Sequence, residues 1–270
     1  MAYDYSEIYF KKYNFIKTPI RYLLCKNWRI VSKYRSIFRK FDSYKKSKNN
    51  LEKNFSFEIS LNSDLKEYSE FFNKNNWCFI DNFFSQETCK QIVQNWPGRH
   101  YFRPMKYISK QYDFGFEWNH TLKELPRYIE HHLYIKKLYN YLDSTEFKKI
   151  VNNLCNDKFN RSCFSISLTT AKKGSVLFPH KDAISLENNN ISNPAINIII
   201  FLKGTDDQEF SGGTGLYEDN EFKKVIFEPR KLNNSALIYR SRENFFHGFK
   251  EIQGKDKVRF TLNTQFTCLK

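Results

Sequence analysis

The feature that most constrains the fold of this chain is a succession of short strand-like segments in its C-terminal half. From Phe164 onward, apolar and polar residues alternate or form short apolar runs between turn-rich links, as β-strands require. The longest run, residues 195–202, fits a central strand. The other predicted strands span residues 165–169, 175–178, 215–217, 224–227, 235–239, 248–252 and 258–266. This succession predicts a two-sheet jelly roll with its core at about residues 160–270.

Helical patterns precede this β region. A short buried strand is predicted at residues 77–80, and a helix capped by Ser85 follows it. Two more helical patterns occupy residues 125–157 and are broken near Asp143 and Ser144. The predicted fold class is therefore α+β, with a mainly β core, flanking helices and a basic helical extension at the N-terminus.

The segment Phe178-Pro-His180-Lys-Asp182 carries the first candidate functional residues. On a β-strand, residues i and i+2 leave the same face, so the side chains of His180 and Asp182 converge. His247 is a candidate third ligand that only the fold could bring alongside. Two histidines and one carboxylate on one side of a metal ion leave coordination positions open, which suits non-haem Fe(II) better than a closed structural zinc site.

Arg259 lies twelve residues beyond His247, at the start of the last predicted strand. A guanidinium is a planar fork of donors that matches the geometry of a carboxylate. We therefore interpret Arg259 as a clamp for the far carboxylate of a dicarboxylic acid.

The order His180-x-Asp182, His247, Arg259 resembles the signature of the Fe(II)- and 2-oxoglutarate-dependent dioxygenases, and is most similar to their prolyl-4-hydroxylase-like branch. Residues 212–217 (Gly-Gly-Thr-Gly-Leu-Tyr) and 235–239 (Ser-Ala-Leu-Ile-Tyr) resemble further segments of that branch. The resemblance covers roughly residues 77–270. It implies a double-stranded β-helix with both ligand-bearing segments at one open end of the barrel.

The resemblance also implies a reaction. His180, Asp182 and His247 would be the catalytic residues and would hold Fe(II), with 2-oxoglutarate and O2 as cosubstrates and ascorbate as a supporting reductant. Arg259 would pair with the far carboxylate of 2-oxoglutarate, and Thr261, two residues further on the same strand face, would add a hydrogen bond. The implied outcome is hydroxylation of a substrate C–H bond with release of succinate and CO2.

The sequence departs from the pattern of that branch at Ala171, where a tyrosine that contacts 2-oxoglutarate commonly stands. Thr169 and Asn197 are the predicted substitutes for this contact. Together with Arg259 and Thr261, they complete the predicted cosubstrate site.

Three alternatives come from other classes of function. A cupin-like metal-binding isomerase or binding protein would share the jelly roll but would not need Arg259. A nucleic-acid demethylase would fit the basic charge, but that branch expects a second arginine where Gln265 stands. The third alternative is a non-catalytic jelly-roll protein that its basic N-terminus docks to a membrane or a protein partner, and the intact set of candidate ligands argues against it.

The positive charge is concentrated at the N-terminus. Residues 1–50 contain thirteen Lys and Arg against Asp4, Glu7 and Asp42, so they carry +10 of the total net charge of +15. Apolar residues recur at helical spacing across residues 14–40, which predicts a basic amphipathic helix that packs on the catalytic domain, lies on an anionic membrane surface or binds an acidic partner. Nucleic acid is the least favoured partner. We place the domain boundary at the polar linker, which gives an extension of residues 1–53 and a dioxygenase domain of residues 54–270.

The six cysteines follow no paired spacing, which favours a reducing compartment. The first residues include acidic side chains and no apolar run follows them, so no secretory signal is predicted. The expected location is the cytoplasm, including the inner face of a membrane. The substrate remains open among small molecules, glycans and peptides.

Overall fold

The structure is a computed structural model. It describes residues 56–62, 64–104, 109–110, 113–122, 124–130, 132–156, 160–182, 194–204, 212–242, 245–253 and 258–268, together with Lys33 and Ile37. Lys33 and Ile37 are helical and exposed. The rest of the predicted basic helix (residues 14–40) and the predicted boundary at residue 53 lie outside the described residues.

The described helices are short and lie before the central strands. They are α1 (Ser69–Asn75), α2 (Gln86–Gln94), α3 (Arg127–Glu130), α4 (Leu133–Leu142) and α5 (Thr145–Cys155), with 3-10 turns at Leu65–Tyr68, Arg99–Tyr101 and His120–Leu122. Ser85 caps α2 by accepting a hydrogen bond from the backbone N–H of Thr88, as its position before the helix predicts. Over the described residues, no helix is both long enough and apolar enough to cross a membrane.

Strands make up most of the remaining described chain. They are β1 (Trp77–Ile80), β2 (Phe102–Pro104), β3 (Ser109–Lys110), β4 (Asp113–Asn119), β5 (Ser162–Lys172), β6 (Val176–His180), β7 (Ile196–Lys203), β8 (Gly215–Tyr217), β9 (Val225–Phe227), β10 (Ser235–Arg240), β11 (Phe246–Phe249) and β12 (Val258–Thr267). They form two antiparallel sheets. One sheet has the order β1-β10-β7-β12-β5-β4-β2, and the other has the order β3-β6-β11-β8-β9.

The apolar run in β7 is buried on both faces, and its alternation assigns each residue to one of two cores. Even-numbered residues pack with the helices on the outer face of the seven-stranded sheet. They are Ile196, Ile198, Ile200 and Leu202, and they share a core with residues of α4 and α5 such as Leu138 and Val151. Ile199 and Phe201 point the other way and pack with Leu216 of the five-stranded sheet. The two sheets therefore face each other across a second core.

The structure confirms the mainly β core with helices beside it. Two predicted strands, 77–80 and 215–217, have the observed bounds, and the helical break at residues 143–144 separates α4 from α5. The predicted strand at residues 248–252 begins too late, because β11 starts at Phe246 and includes His247. Pairing with β6 and β8 on both sides fixes these bounds, and the local sequence does not report that pairing.

Candidate metal centre

Strands β6 and β11 bring the two candidate histidine ligands together. His180 ends β6 and lies directly opposite His247 in the antiparallel register, with ring centroids 4.2 Å apart. Gly248 permits this close approach: a Cβ atom at that position would lie 2.5 Å from the carbonyl oxygen of Leu177 and 2.7 Å from the backbone nitrogen of Pro179. Neither backbone atom can move without breaking the strand pairing, so the glycine supports the position of His247.

Asp182 lies two residues beyond the end of β6 and completes a cluster with the two histidines. Its Oδ1 atom is 3.7 Å from His180 Nε2 and 3.7 Å from His247 Nε2. The three candidate ligand atoms all lie within 4.8 Å of one another. Metal–ligand bonds of about 2.0–2.2 Å place two ligands of one ion about 3.0–3.5 Å apart, so only a small contraction around an ion is required. We call His180, Asp182 and His247 the His-Asp-His triad.

The protonation of the triad suits metal binding. His180 Nδ1 lies 2.8 Å from the carbonyl oxygen of Phe178, so this nitrogen carries the proton and donates it, which leaves the Nε2 lone pair facing Asp182. Burial, assisted by the neighbouring His247, lowers the pKa of His180 to about 4. Burial also lowers the pKa of His247, against the opposing effect of the Asp182 carboxylate. Both imidazoles are therefore neutral at pH 7, as metal ligands must be.

The lowered pKa of His180 predicts an acid sensitivity of the metal-free protein. Between pH 6.5 and about 4, the unfolded chain binds a proton at this residue and the folded chain does not, so the free energy of unfolding falls as the pH falls. We expect the Tm of metal-free protein, measured by scanning calorimetry, to decrease between pH 7 and pH 5 by about 3 °C more in the wild type than in His180→Gln. Glutamine keeps a polar side chain that does not titrate.

The exposed His120 provides the matched control for this comparison. His120→Gln should keep the wild-type dependence of Tm on pH, because it leaves the buried imidazole of His180 in place. Equal slopes for the wild type and His180→Gln would contradict the assignment of a neutral, buried His180.

A cavity of about 500 Å³ opens beside the His-Asp-His triad, between the two sheets. This volume lies in the usual range for small-molecule sites. All three residues of the triad line it, and so does Asn197 from β7. The remaining lining residues are Glu117, Phe164, Ser165, Ser167, Leu177, Ile198, Ile199, Thr214, Tyr239, Asn263, Thr264 and Gln265.

Arg259 lies behind the cavity wall. It is 2 % exposed, and its guanidinium lies over the rings of Phe249 (3.9 Å) and Phe201 (5.9 Å). Its Nη1 atom donates hydrogen bonds to the carbonyl oxygen of Gly212 and to the Thr214 hydroxyl, the latter at 3.3 Å. Because Thr214 lines the cavity and Arg259 does not, the Thr214 hydroxyl is the group of this pair that faces the cavity.

Thr169 and Thr261 bond to each other. They lie opposite one another on β5 and β12, both are buried, and their hydroxyl groups form a hydrogen bond. Neither residue lines the cavity. The Ala171 side chain is buried with Leu177 and Phe249, and Arg259 lies opposite it on β12.

Asn197 lies on the cavity wall and belongs to a chain of hydrogen bonds. Gln265 Nε2 donates to Asn197 Oδ1 at 2.7 Å, and Asn197 Nδ2 donates to the Ser241 hydroxyl at 2.9 Å. Of the four predicted cosubstrate residues, only Asn197 lines the cavity directly.

Several residues that line the cavity were not predicted from the sequence. Asn263 and Gln265 follow Arg259 and Thr261 at the same two-residue spacing, so strand alternation alone could have placed them on the interior face. Tyr239, whose ring centroid is 5.7 Å from that of His247, gave no such signal because the sequence does not specify which face of β10 is interior.

Known proteins match this chain in fold but not in sequence. No protein-family model and no curated protein matches the sequence. An oxidoreductase of the 2OG-Fe(II) oxygenase family from Burkholderia pseudomallei matches in structure with a TM-score of 0.54 and 12 % identity, over 79 % of this chain and 94 % of that chain. A Pseudomonas putida prolyl-4-hydroxylase matches with a TM-score of 0.54 and 9 % identity, over 76 % of this chain and 100 % of that chain. This chain has the fold of the 2OG-Fe(II) oxygenases.

Proposed function

We propose that this protein is an Fe(II)- and 2-oxoglutarate-dependent dioxygenase that hydroxylates a C–H bond of its substrate. The observation that carries the proposal is the convergence of the His-Asp-His triad on one point of the cavity wall, with all candidate ligand atoms within 4.8 Å of one another. Two histidines and one carboxylate on one side of an ion leave positions for a chelating cosubstrate and for O2.

The strand order supports the finer assignment of a double-stranded β-helix. Strands β5 to β12 divide into two sets of four, with the orders β10-β7-β12-β5 and β6-β11-β8-β9. Successive strands from β5 to β8 alternate between the two sheets, which is the arrangement of a jelly roll. The remaining strands, β1, β2, β3 and β4, extend the sheets at their edges.

The residues of the triad fit Fe(II). The neutral Nε2 atoms of His180 and His247 supply two nitrogen ligands, and Asp182 supplies an anionic oxygen ligand that offsets part of the metal charge. When bound, Fe(II) with 2-oxoglutarate and O2 supplies the oxidising chemistry: one oxygen atom enters the substrate as a hydroxyl group, and the other enters succinate as CO2 leaves. The hydrogen bond from His180 to Phe178 keeps the ring oriented for this work.

The proposed cosubstrate site extends from the triad toward Arg259. A carboxylate near Thr214 would accept a hydrogen bond from its hydroxyl and lie close to the Arg259 guanidinium behind it. Thr261 and Thr169 act as a bonded pair beside this position, and Asn197 offers an amide on the cavity wall. For 2-oxoglutarate binding we propose Arg259, Thr261 and Thr169, with Thr214 as a further donor. Asn197 pairs with Gln265, six residues along β12 from Arg259, which is too far for the same five-carbon diacid.

The test is succinate formation. Anaerobically purified protein is given Fe(II), 2-oxoglutarate and ascorbate and is then exposed to air, with succinate measured by chromatography. We expect slow succinate formation even without the substrate, and none when 2-oxoglutarate, Fe(II) or O2 is left out. Absence of succinate together with absence of calorimetric 2-oxoglutarate binding to the Mn(II) form would contradict the proposal and favour a cupin-like or non-catalytic protein.

Three sequence-based predictions accompany this proposal. The first is the division into an extension of residues 1–53 and a domain of residues 54–270. The second is that residues 14–40 pack on the catalytic domain, lie on an anionic membrane surface or bind an acidic partner. The third is the cytoplasmic location, and all three stay predictions. The substrate is a small molecule, a glycan or a peptide.

A further inference from the structure

Four neutral polar side chains lie next to one another on the interior face of β5 and β12. Ser165 is opposite Gln265 in the antiparallel register, and Ser167 is opposite Asn263. All four line the cavity together with the His-Asp-His triad. We call Ser165, Ser167, Asn263 and Gln265 the polar platform.

The face of these strands opposite the platform is mainly apolar, with the buried Thr264 of β12 as a polar exception. This face carries Ile166, Leu168 and Leu262, which are buried in the core shared with the helices. A sheet that is covered on both faces ordinarily has apolar residues on both. The interior face therefore departs from what the fold requires, which indicates a requirement set by what the cavity contains.

The platform offers hydrogen-bonding groups toward the cavity. Within the described part of the chain, the side chains of Ser165, Ser167 and Asn263 make no hydrogen bond with the protein. Gln265 uses its amide nitrogen to bond Asn197, and its amide oxygen has no donor among the described residues. Polar groups in a protein interior are normally paired, so a ligand or water must supply the partners here.

The platform lies beyond the proposed position of 2-oxoglutarate. Along a strand that rises about 3.3 Å per residue, Asn263 is about 13 Å from Arg259, which is longer than a five-carbon diacid. A diacid held near Arg259 and the triad therefore leaves the platform uncovered. A substrate bound beside the triad would cover it.

The charged and aromatic side chains that line the cavity restrict the chemical class of the substrate. Among the described lining residues there is no lysine or arginine, and two, Asp182 and Glu117, have carboxyl side chains, so the wall disfavours an anionic substrate. An aliphatic chain would leave the platform unpaired. A polyhydroxylated molecule pairs with it, because each hydroxyl group both donates and accepts, and its C–H faces can pack on the Tyr239 ring.

We propose that the polar platform binds the hydroxyl groups of a polyol substrate of the carbohydrate class. This inference rests on the proposed function, since it assigns the substrate of the same site. The serine and asparagine side chains form hydrogen bonds with the hydroxyl groups of a sugar ring. The triad next to them faces the C–H bonds of that ring.

The experiment measures the binding of sugars to the Zn(II)-substituted protein saturated with 2-oxoglutarate. Zn(II) has no redox chemistry, so this form binds ligands without turnover. The probes are glucose, glucosamine and N-acetylglucosamine, and their binding is measured by saturation-transfer NMR and calorimetry. The dipeptide Ala-Pro and decanoate are tested in the same way as representatives of peptide and aliphatic substrates. We expect at least one hexose to bind in the millimolar range or tighter and Asn263→Leu to weaken it at least tenfold. Ser167→Val should also weaken hexose binding at least tenfold. The same loss in two variants would show that a folding defect of Asn263→Leu is not its cause.

The matched control is Asn153→Leu, the same change at an exposed position of α5 away from the cavity, which should keep wild-type hexose affinity. No hexose binding, unchanged binding in both platform variants, or preferential binding of Ala-Pro or decanoate would each overturn the inference. Calorimetric binding of 2-oxoglutarate is measured on the same samples. If 2-oxoglutarate binds and no hexose does, only the platform inference fails; if 2-oxoglutarate does not bind, the proposed function fails.

Discussion

Replacement of Asp182 by alanine is expected to weaken Mn(II) binding at least about 100-fold and to abolish succinate formation. Asp182 is the only carboxylate of the His-Asp-His triad, so its loss leaves two neutral imidazoles with no anionic ligand to offset the charge of the ion. Its Oδ1 atom is 3.7 Å from each histidine Nε2 atom. Among the described residues, no other carboxylate or thiol belongs to this cluster, so none is placed to replace Asp182. Mn(II) binding is measured by electron paramagnetic resonance.

Asp182→Ala should fold normally, because the side chain is 43 % exposed and lies beyond the end of β6. A Tm close to that of the wild type in the metal-free state checks this expectation. The matched control is Asp81→Ala, which removes an exposed aspartate paired with Lys231 at 3.0 Å, outside the cavity. If Asp182→Ala keeps its Mn(II) affinity within about threefold while Asp81→Ala behaves like the wild type, the triad is not the metal site.

The parts of the site that could be predicted from the sequence are those that local geometry determines. On an extended strand, two-residue spacing puts the side chains of His180 and Asp182 on the same side of the chain. The observed strand ends at His180, yet the two side chains still converge. The apolar run of residues 195–202 likewise predicted a central strand, and β7 (Ile196–Lys203) is buried on both faces between β10 and β12.

The parts that could not be predicted depend on pairing between distant segments. The choice of His247 as third ligand depends on the register between β6 and β11, which Gly248 permits but does not specify. The polar platform exists only because β5 and β12 are neighbours in a particular register, and residues 165 and 265 are a hundred positions apart. Long-range register is set by the packing of the whole sheet, so single-segment patterns carry little information about it.

Arg259 illustrates, at a single residue, how far the sequence alone predicts the site. The sequence predicted a guanidinium on the last strand, and β12 carries it on the interior face. The structure adds that Gly212, which has a φ of +62°, turns its carbonyl oxygen toward Arg259 and that Thr214 stands between the guanidinium and the cavity. A Cβ atom at position 212 would lie 2.3 Å from a side-chain carbon of Ile252, so a residue other than glycine would displace this contact.

Replacement of Arg259 by methionine is expected to raise the Kd for 2-oxoglutarate at least about thirtyfold with little change in Mn(II) affinity. Hydrogen bonds to a charged group contribute about 1.5–3 kcal/mol, and the buried surroundings strengthen the attraction between a guanidinium and a carboxylate. Methionine fills the space between Phe249 and Phe201 without a charge, so the variant should fold. Binding is measured by calorimetry on the Mn(II) form.

Arg259→Lys separates the charge from the shape of the side chain. Lysine keeps the positive charge but lacks the planar fork, so its Kd for 2-oxoglutarate should lie between those of the wild type and Arg259→Met. Arg230→Met, at an exposed position outside the cavity, is the matched control and should bind like the wild type. Equal affinity for 2-oxoglutarate in the wild type and Arg259→Met would mean that the diacid is held elsewhere on the cavity wall. An ordered loss of affinity from arginine through lysine to methionine instead requires a carboxylate within reach of the guanidinium, and only a ligand that extends from the triad past Thr214 meets that requirement.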